Sequence, residues 1–131
     1  MRKNTPAEDL IEDFKCNILR RELISLMGQE FYDKLIGLFN DKFDEILIRR
    51  CCAYGKFINF HTDVSLKTLQ LALNDETEYE GGRLMYLIDG KVNVPPRTAG
   101  SITIHHNDIV HGVTKLHSGT RYGLFLLKKT V

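Results

Sequence analysis

Cysteine is scarce in this chain. Cys16, Cys51 and Cys52 make three, an odd count with one adjacent pair and no CxxC spacing. That is a poor disulfide framework and no zinc-type ligand set, and it points to a reducing, intracellular setting, the cytoplasm. An excess of one charge is also missing: 18 Lys and Arg stand against 17 Asp and Glu. No basic stripe suggests general binding of nucleic acid or of a membrane surface. No apolar run approaches the roughly 20 residues of a membrane span. The opening MRKNTPAEDLIEDF carries acidic residues where a signal peptide needs an apolar stretch. Internal repeats, low-complexity tracts and linkers are lacking too. A length of 131 residues fits one domain, and a hydrophobic fraction of 43% suffices for a core.

The two halves of the chain differ in texture. From residue 7 to about 27, Leu10, Ile11, Phe14, Ile18, Leu23 and Leu26 recur at steps of three and four, which predicts a helix. Thr5-Pro6 suits its start and Met27-Gly28 its end. Phe31, Leu35, Leu38 and Phe39 predict a second helix over about 29–40. The stretch Glu45 to Tyr54 reads as a strand. Beyond it lie short β-branched or aromatic runs: Lys56–Phe60, Leu66–Leu73, Arg83–Ile88, Ser101–His105, Ile109–Val113 and Arg121–Leu127. Turn chemistry such as Gly81-Gly82, Asp89-Gly90 and Ser118-Gly119 separates them. Such spacing predicts a sandwich or barrel. The expected layout is a helical part over about 7–44 and a β core over about 45–128.

Three residues in the β half carry metal chemistry. His61 and Asp63 stand two apart, so in a strand both side chains point the same way. His111, from a distant strand, shares a face with Ile109 and Val113. Two imidazoles and one carboxylate suit a facial iron(II) site with three open positions. On spacing alone, a surface turn and a satisfied core histidine explain the same residues equally well. Arg121 favours the site. By alternation it shares a face with Gly123, Phe125 and Leu127, where a lone buried cation would be costly. Its planar fork suits a carboxylate, as in a dicarboxylate co-substrate. His105 and His106 end a strand, and one of them faces inward, toward substrate or core.

With these residues in place, the sequence resembles the iron(II)- and 2-oxoglutarate-dependent dioxygenases, nearest the prolyl 4-hydroxylase-like branch. The matching segments are Gly55-Lys56-Phe57, His61-Thr62-Asp63, Leu73-Asn74, Tyr79 through Leu84, Pro96 through Ser101, His111-Gly112-Val113 and Gly119 through Tyr122. They span about residues 45 to 128 in the family's order. The resemblance implies an α+β fold, with N-terminal helices packed on a double-stranded β-helix, jelly-roll or cupin-like. It implies His61, Asp63 and His111 as catalytic iron ligands and Arg121 as partner of the far carboxylate of 2-oxoglutarate. Many prolyl hydroxylases of this branch use a lysine there. The family's co-substrate tyrosine usually stands three before Gly55; here Cys52 holds that place and the tyrosine is Tyr54. Tyr54 and Tyr86 are therefore the further co-substrate candidates, with Thr103 another pocket residue. Glu80-Gly81-Gly82 would be a structural turn.

The resemblance further implies an enzyme that hydroxylates a C–H bond with O2, converting 2-oxoglutarate to succinate, with ascorbate as reductant. A carboxylate at Asp63, where an alanine or glycine would leave room for halide, favours hydroxylation over halogenation. The expected substrate is a prolyl or other side chain of a protein or peptide. A small-molecule or nucleobase substrate is the alternative, as is a non-catalytic metal-binding module on the same scaffold. The chain is short for this fold, which leaves open a minimal member, a fragment, or a site completed in a homodimer.

Overall fold

The computed structural model describes residues 14–52 and 58–131. The start of the expected first helix, with Thr5-Pro6, Leu10 and Ile11, lies outside the described residues, and so does Tyr54. The described residues form ten strands and two α-helices. In chain order the first are β1 (Phe14–Ile18), α1 (Arg20–Met27), α2 (Gln29–Phe39), β2 (Glu45–Cys52), β3 (Ile58–His61) and β4 (Lys67–Ala72). A short 3-10 turn at Glu76–Glu78 leads to β5 (Tyr79–Gly81), β6 (Leu84–Ile88), β7 (Lys91–Asn93), β8 (Ile102–His106), β9 (Val110–Val113) and β10 (Leu116–Lys128). The larger sheet runs β1-β2-β10-β4-β8, with β5 also paired to β10; the smaller runs β3-β9-β6-β7. Every pairing among them is antiparallel. Among the described residues no helix is long and apolar enough to cross a membrane.

One expectation is corrected. Residues 14–18 are strand, not helix, and a strand therefore precedes the helices. Phe14 and Ile18 are four apart, an even number, so their spacing fits one face of a strand as well as one face of a helix. The decision is tertiary. Without β1, β2 would present a long unpaired edge; β1 covers it in register from Phe14 opposite Arg50 to Ile18 opposite Ile46.

The core lies between the helices and one face of the larger sheet. Leu23 of α1 and Leu35 and Phe39 of α2 are buried against Leu69 and Leu71 of β4 and Leu124 and Leu126 of β10. Gly28, at φ 89°, joins the helices, and Asn40 ends α2 in the left-handed conformation. Lys67 Nζ also reaches the Phe39 carbonyl at 2.5 Å, near the negative end of α2. This packing assigns the two faces of β10. Leu124 and Leu126 look into the core, and Arg121, Phe125 and Leu127 line a cleft on the other side, toward the smaller sheet.

The Glu80-Gly81-Gly82 turn is required by the backbone. Gly81 and Gly82 have φ of 79° and 61°. A Cβ on Gly81 would meet the Lys115 carbonyl oxygen at 2.0 Å, with backbone on both sides of the clash. Gly81→Ala is expected to lower unfolding free energy by more than about 2 kcal/mol. Leu69→Ala, which empties the fully buried centre of the core, should lower it by about 2–5 kcal/mol. Urea denaturation of the two variants beside the parent chain measures both.

Candidate metal centre

Strand register builds the site. On the smaller sheet His61 stands opposite His111, and His111 opposite Tyr86, so three side chains form a row on one face. On the larger sheet Thr68 stands opposite His105. Asp63, just past β3, reaches both rows. One oxygen, Oδ1, lies 3.4 Å from His61 Nε2 and 3.1 Å from His111 Nε2. The other, Oδ2, accepts from Thr68 Oγ1 at 3.0 Å and from His105 Nε2 at 2.8 Å. His105 in turn meets the Tyr86 hydroxyl through Nδ1 at 3.0 Å. With Nε2–H facing a carboxylate, this network assigns Nδ1 as acceptor of the Tyr86 proton.

Both triad rings are oriented from behind. His61 Nδ1 donates to the Asn59 carbonyl at 2.7 Å, and His111 Nδ1 to the Ile109 carbonyl at 3.1 Å. Each bond turns an Nε2 lone pair toward Asp63 Oδ1. Three electron-pair donors then converge, with ligand atoms all within 4.8 Å of one another. Such an array needs a cation, either a proton or a metal. Neighbouring ligands on a metal at about 2.1 Å stand about 3 Å apart, close to the two Asp63 Oδ1 contacts here. Two imidazole nitrogens and one carboxylate oxygen on one side fit iron(II). Backbone or carboxylate support behind each ligand is what metal centres use to fix ring orientation.

The electrostatics agree. Burial opposes ionisation of Asp63, but the hydrogen bonds from His105 and His111, the His111 charge and the Thr68 hydroxyl outweigh it and hold the carboxyl well below its ordinary range. Burial likewise works against a proton on His111, yet the Asp63 carboxylate and the Ile109 carbonyl prevail and raise it above the usual histidine value. Burial, with the Asp63 charge adding to it, pushes the Tyr86 phenol up.

The triad faces a cleft of about 480 Å³ whose walls include Arg121, Gln70, Phe125 and Leu84. Arg121 is buried, 5% exposed, and donates through Nη2 to Gln70 Oε1 at 3.0 Å. Asn74 fixes the strand beside it. Its side chain donates to the Thr120 carbonyl at 2.8 Å and accepts from the Tyr122 amide at 2.9 Å. Gly123, on the same face, gives its space to protein: a Cβ there would stand 3.1 Å from the Phe125 ring and 3.3 Å from Arg97 Nη2. Of the other histidines, His105 is the inward one, 5% exposed, while His106 and His117 face solvent. Arg83 lies at the surface, ion-paired with Glu76. Sequence reasoning missed the link from His105 to Asp63. Its signal was the even spacing of Thr103 and His105 on an inward face, which does not say what the face meets.

No family model matches the sequence, and no curated protein matches it. Solved structures do. A 2OG-Fe(II) oxygenase family oxidoreductase from Burkholderia pseudomallei is similar, with TM-score 0.66 and 15% identity over 88% of this chain and 64% of that one. A prolyl hydroxylase from Trichoplax adhaerens, solved with a hypoxia inducible factor peptide fragment, gives TM-score 0.68 and 17% identity over 88% and 61%. A Pseudomonas putida prolyl-4-hydroxylase gives TM-score 0.61 and 19% identity over 97% and 78%. At such identities the likeness is one of fold, the double-stranded β-helix. This chain spans less than two thirds of the first two proteins.

Stability and metal affinity should both depend on pH through the triad. The raised His111 means that its proton stabilises the metal-free fold. That contribution is complete below the ordinary value of 6.5 and is lost as pH rises through the higher folded value. The lowered Asp63 contributes above 3.8 and loses its effect as pH falls through its lower folded value. Metal-free protein should therefore melt lower at about pH 8 than at about pH 6, and His111→Gln should flatten that difference in thermal scans. Metal needs His111 unprotonated, so metal affinity should rise over the same range. His105→Phe, which releases Asp63 Oδ2, should weaken divalent metal binding about 10–100-fold by titration calorimetry.

Proposed function

We propose that this protein is an iron(II)- and 2-oxoglutarate-dependent dioxygenase that hydroxylates a C–H bond in a protein or peptide, prolyl in the first instance. One observation carries the reading. His61, His111 and Asp63 converge on a single point of a cleft whose wall holds the buried Arg121 guanidinium. His61 Nε2, His111 Nε2 and Asp63 Oδ1 would hold the iron. Arg121 would take the far carboxylate of 2-oxoglutarate through its planar fork. When bound, iron and 2-oxoglutarate together supply O2 activation coupled to decarboxylation to succinate.

The chain's own residues do the rest. The Asn59 and Ile109 carbonyls favour the tautomer of each imidazole that would present Nε2 to a metal. Thr68 and His105 occupy Asp63 Oδ2 and so favour one-oxygen ligation by this carboxylate. These three side chains would hold iron from one side, with the cleft on the other. Tyr86 supports the arrangement through His105 rather than by a free hydroxyl. Phe125 and Leu84 supply apolar wall, which limits water near the reacting centre. A peptide substrate is favoured by the likeness to the Trichoplax adhaerens enzyme with its peptide. Ascorbate would serve as reductant, as in the family resembled.

The test is succinate release from labelled 2-oxoglutarate by the iron-loaded protein, with a panel of proline-containing peptides. Turnover is expected in the parent chain and only background in His61→Ala. Arg121→Ala should raise the KM for 2-oxoglutarate at least about tenfold, the loss of a charge-assisted pair. Parent protein that binds no iron and releases no more succinate than His61→Ala sinks the reading.

A further inference from the structure

Six buried side-chain polar atoms among the described residues lack a well-aligned hydrogen-bond partner, and four of them share one place. They are Nε and Nη2 of Arg97, Nε of Arg121 and the Tyr79 hydroxyl. All three side chains are more than nine-tenths buried: Arg97 and Arg121 are 5% exposed and Tyr79 is 8% exposed. Native interiors leave few such atoms, so a cluster needs a cause.

The two arginines also share an acceptor. Arg97 Nη1 donates to Gln70 Oε1 at 2.5 Å, and Arg121 Nη2 to the same oxygen at 3.0 Å. Tyr79 lies within hydrogen-bonding reach of Arg97 and close to Arg121, and Cys51 stands beside Arg121. Two like charges thus surround one neutral oxygen. Burial, followed by the Arg121 charge, lowers Arg97 to about 10. The cleft's carboxylates are committed elsewhere: Glu45 to Lys129 at 2.6 Å, and Asp63 to the imidazoles. Burying cations without a counter-ion is strongly unfavourable. The result is a set of clustered donors that an anion would satisfy. Gln70 and Arg121 belong to the wall of the triad's cleft, and Gly123 on the same face leaves room for Arg97.

We propose that Arg97, Arg121 and Tyr79 form one carboxylate seat, with Gln70 as neutral spacer, and that Arg97 and Tyr79 bind the far carboxylate of the co-substrate together with Arg121. This rests on the reading of the cleft as a 2-oxoglutarate site and extends it. A two-guanidinium seat selects a 2-oxo dicarboxylate over the corresponding monocarboxylate by charge and by donor number.

Titration calorimetry on manganese(II)-loaded protein tests this, with 2-oxoglutarate and with 2-oxopentanoate, which has the same head and length but no far carboxylate. Arg97→Met should weaken 2-oxoglutarate about tenfold, the loss of a charge-assisted contact, and leave 2-oxopentanoate unchanged. Tyr79→Phe should act the same way, more weakly. If Arg97→Met binds 2-oxoglutarate like the parent while Arg121→Met does not, the two-arginine seat is wrong and the co-substrate reading survives. If Arg121→Met is also without effect, the co-substrate reading itself fails. Gln70→Glu provides an arm that does not depend on losing an arginine. It supplies the anion from within the chain, so the ligand-free protein should melt higher and the preference for the dicarboxylate should vanish. A lower melting temperature would mean that the cluster is no unfilled anion seat, and would overturn the inference.

Discussion

The Asp63 carboxylate ties the two sheets of this protein together. One oxygen belongs to the row of imidazoles on the smaller sheet, the other to Thr68 and His105 on the larger. Between these rows runs the cleft, so the same few atoms set both the sheet spacing and the ligand geometry. The charge is stable there because Thr68 and His105 donate to one oxygen and the protonated form of His111 faces the other. A neutral side chain at 63 would leave three imidazoles and a threonine facing nothing charged. The site and the local fold thus share one electrostatic constraint.

The second constraint is repulsive. Two guanidinium groups approach each other in a buried region with an amide oxygen between them. Such an arrangement holds only because the surrounding fold is made rigid elsewhere: by the leucine core behind β10, by the Asn74 bridge to β10, and by the glycine turn beside Lys115. Stability concentrated on one face of β10 supports unfavourable chemistry on the other. Functional sites often carry strain of this kind.

Much of this was legible in the sequence, for definite reasons. Period-two alternation placed Arg121 and Phe125 on one face and Leu124 and Leu126 on the other, because a strand buried on both faces still sorts side chains by parity. The HxD spacing kept His61 and Asp63 close in the chain, but β3 ends at His61, so strand parity does not account for where Asp63 points. The strand at Phe14–Ile18 was not legible, because an i, i+4 apolar pair satisfies both periods and the partner edge lies some thirty residues away. β5 and β7, three residues each, fall below any periodic signal. β10 begins at Leu116, five residues before its apolar run, and its polar first half is held in the sheet by β5. The grip of His105 on Asp63 and of Arg97 on Gln70 joins residues 42 and 27 apart, which no local pattern encodes.

β10 is a single extended element that serves core and cleft by alternate residues. Its chemistry is therefore protected by parity as much as by identity. Substitution at one position disturbs one face. An insertion or deletion of a single residue between Arg121 and Leu127 would instead exchange the faces wholesale, turning leucines into the cleft and a guanidinium into the core. Length along this strand is thus far less free to drift than composition. Homologues of this chain should carry their insertions in its turns, and the stretch from the arginine to the end of the sheet should keep its count.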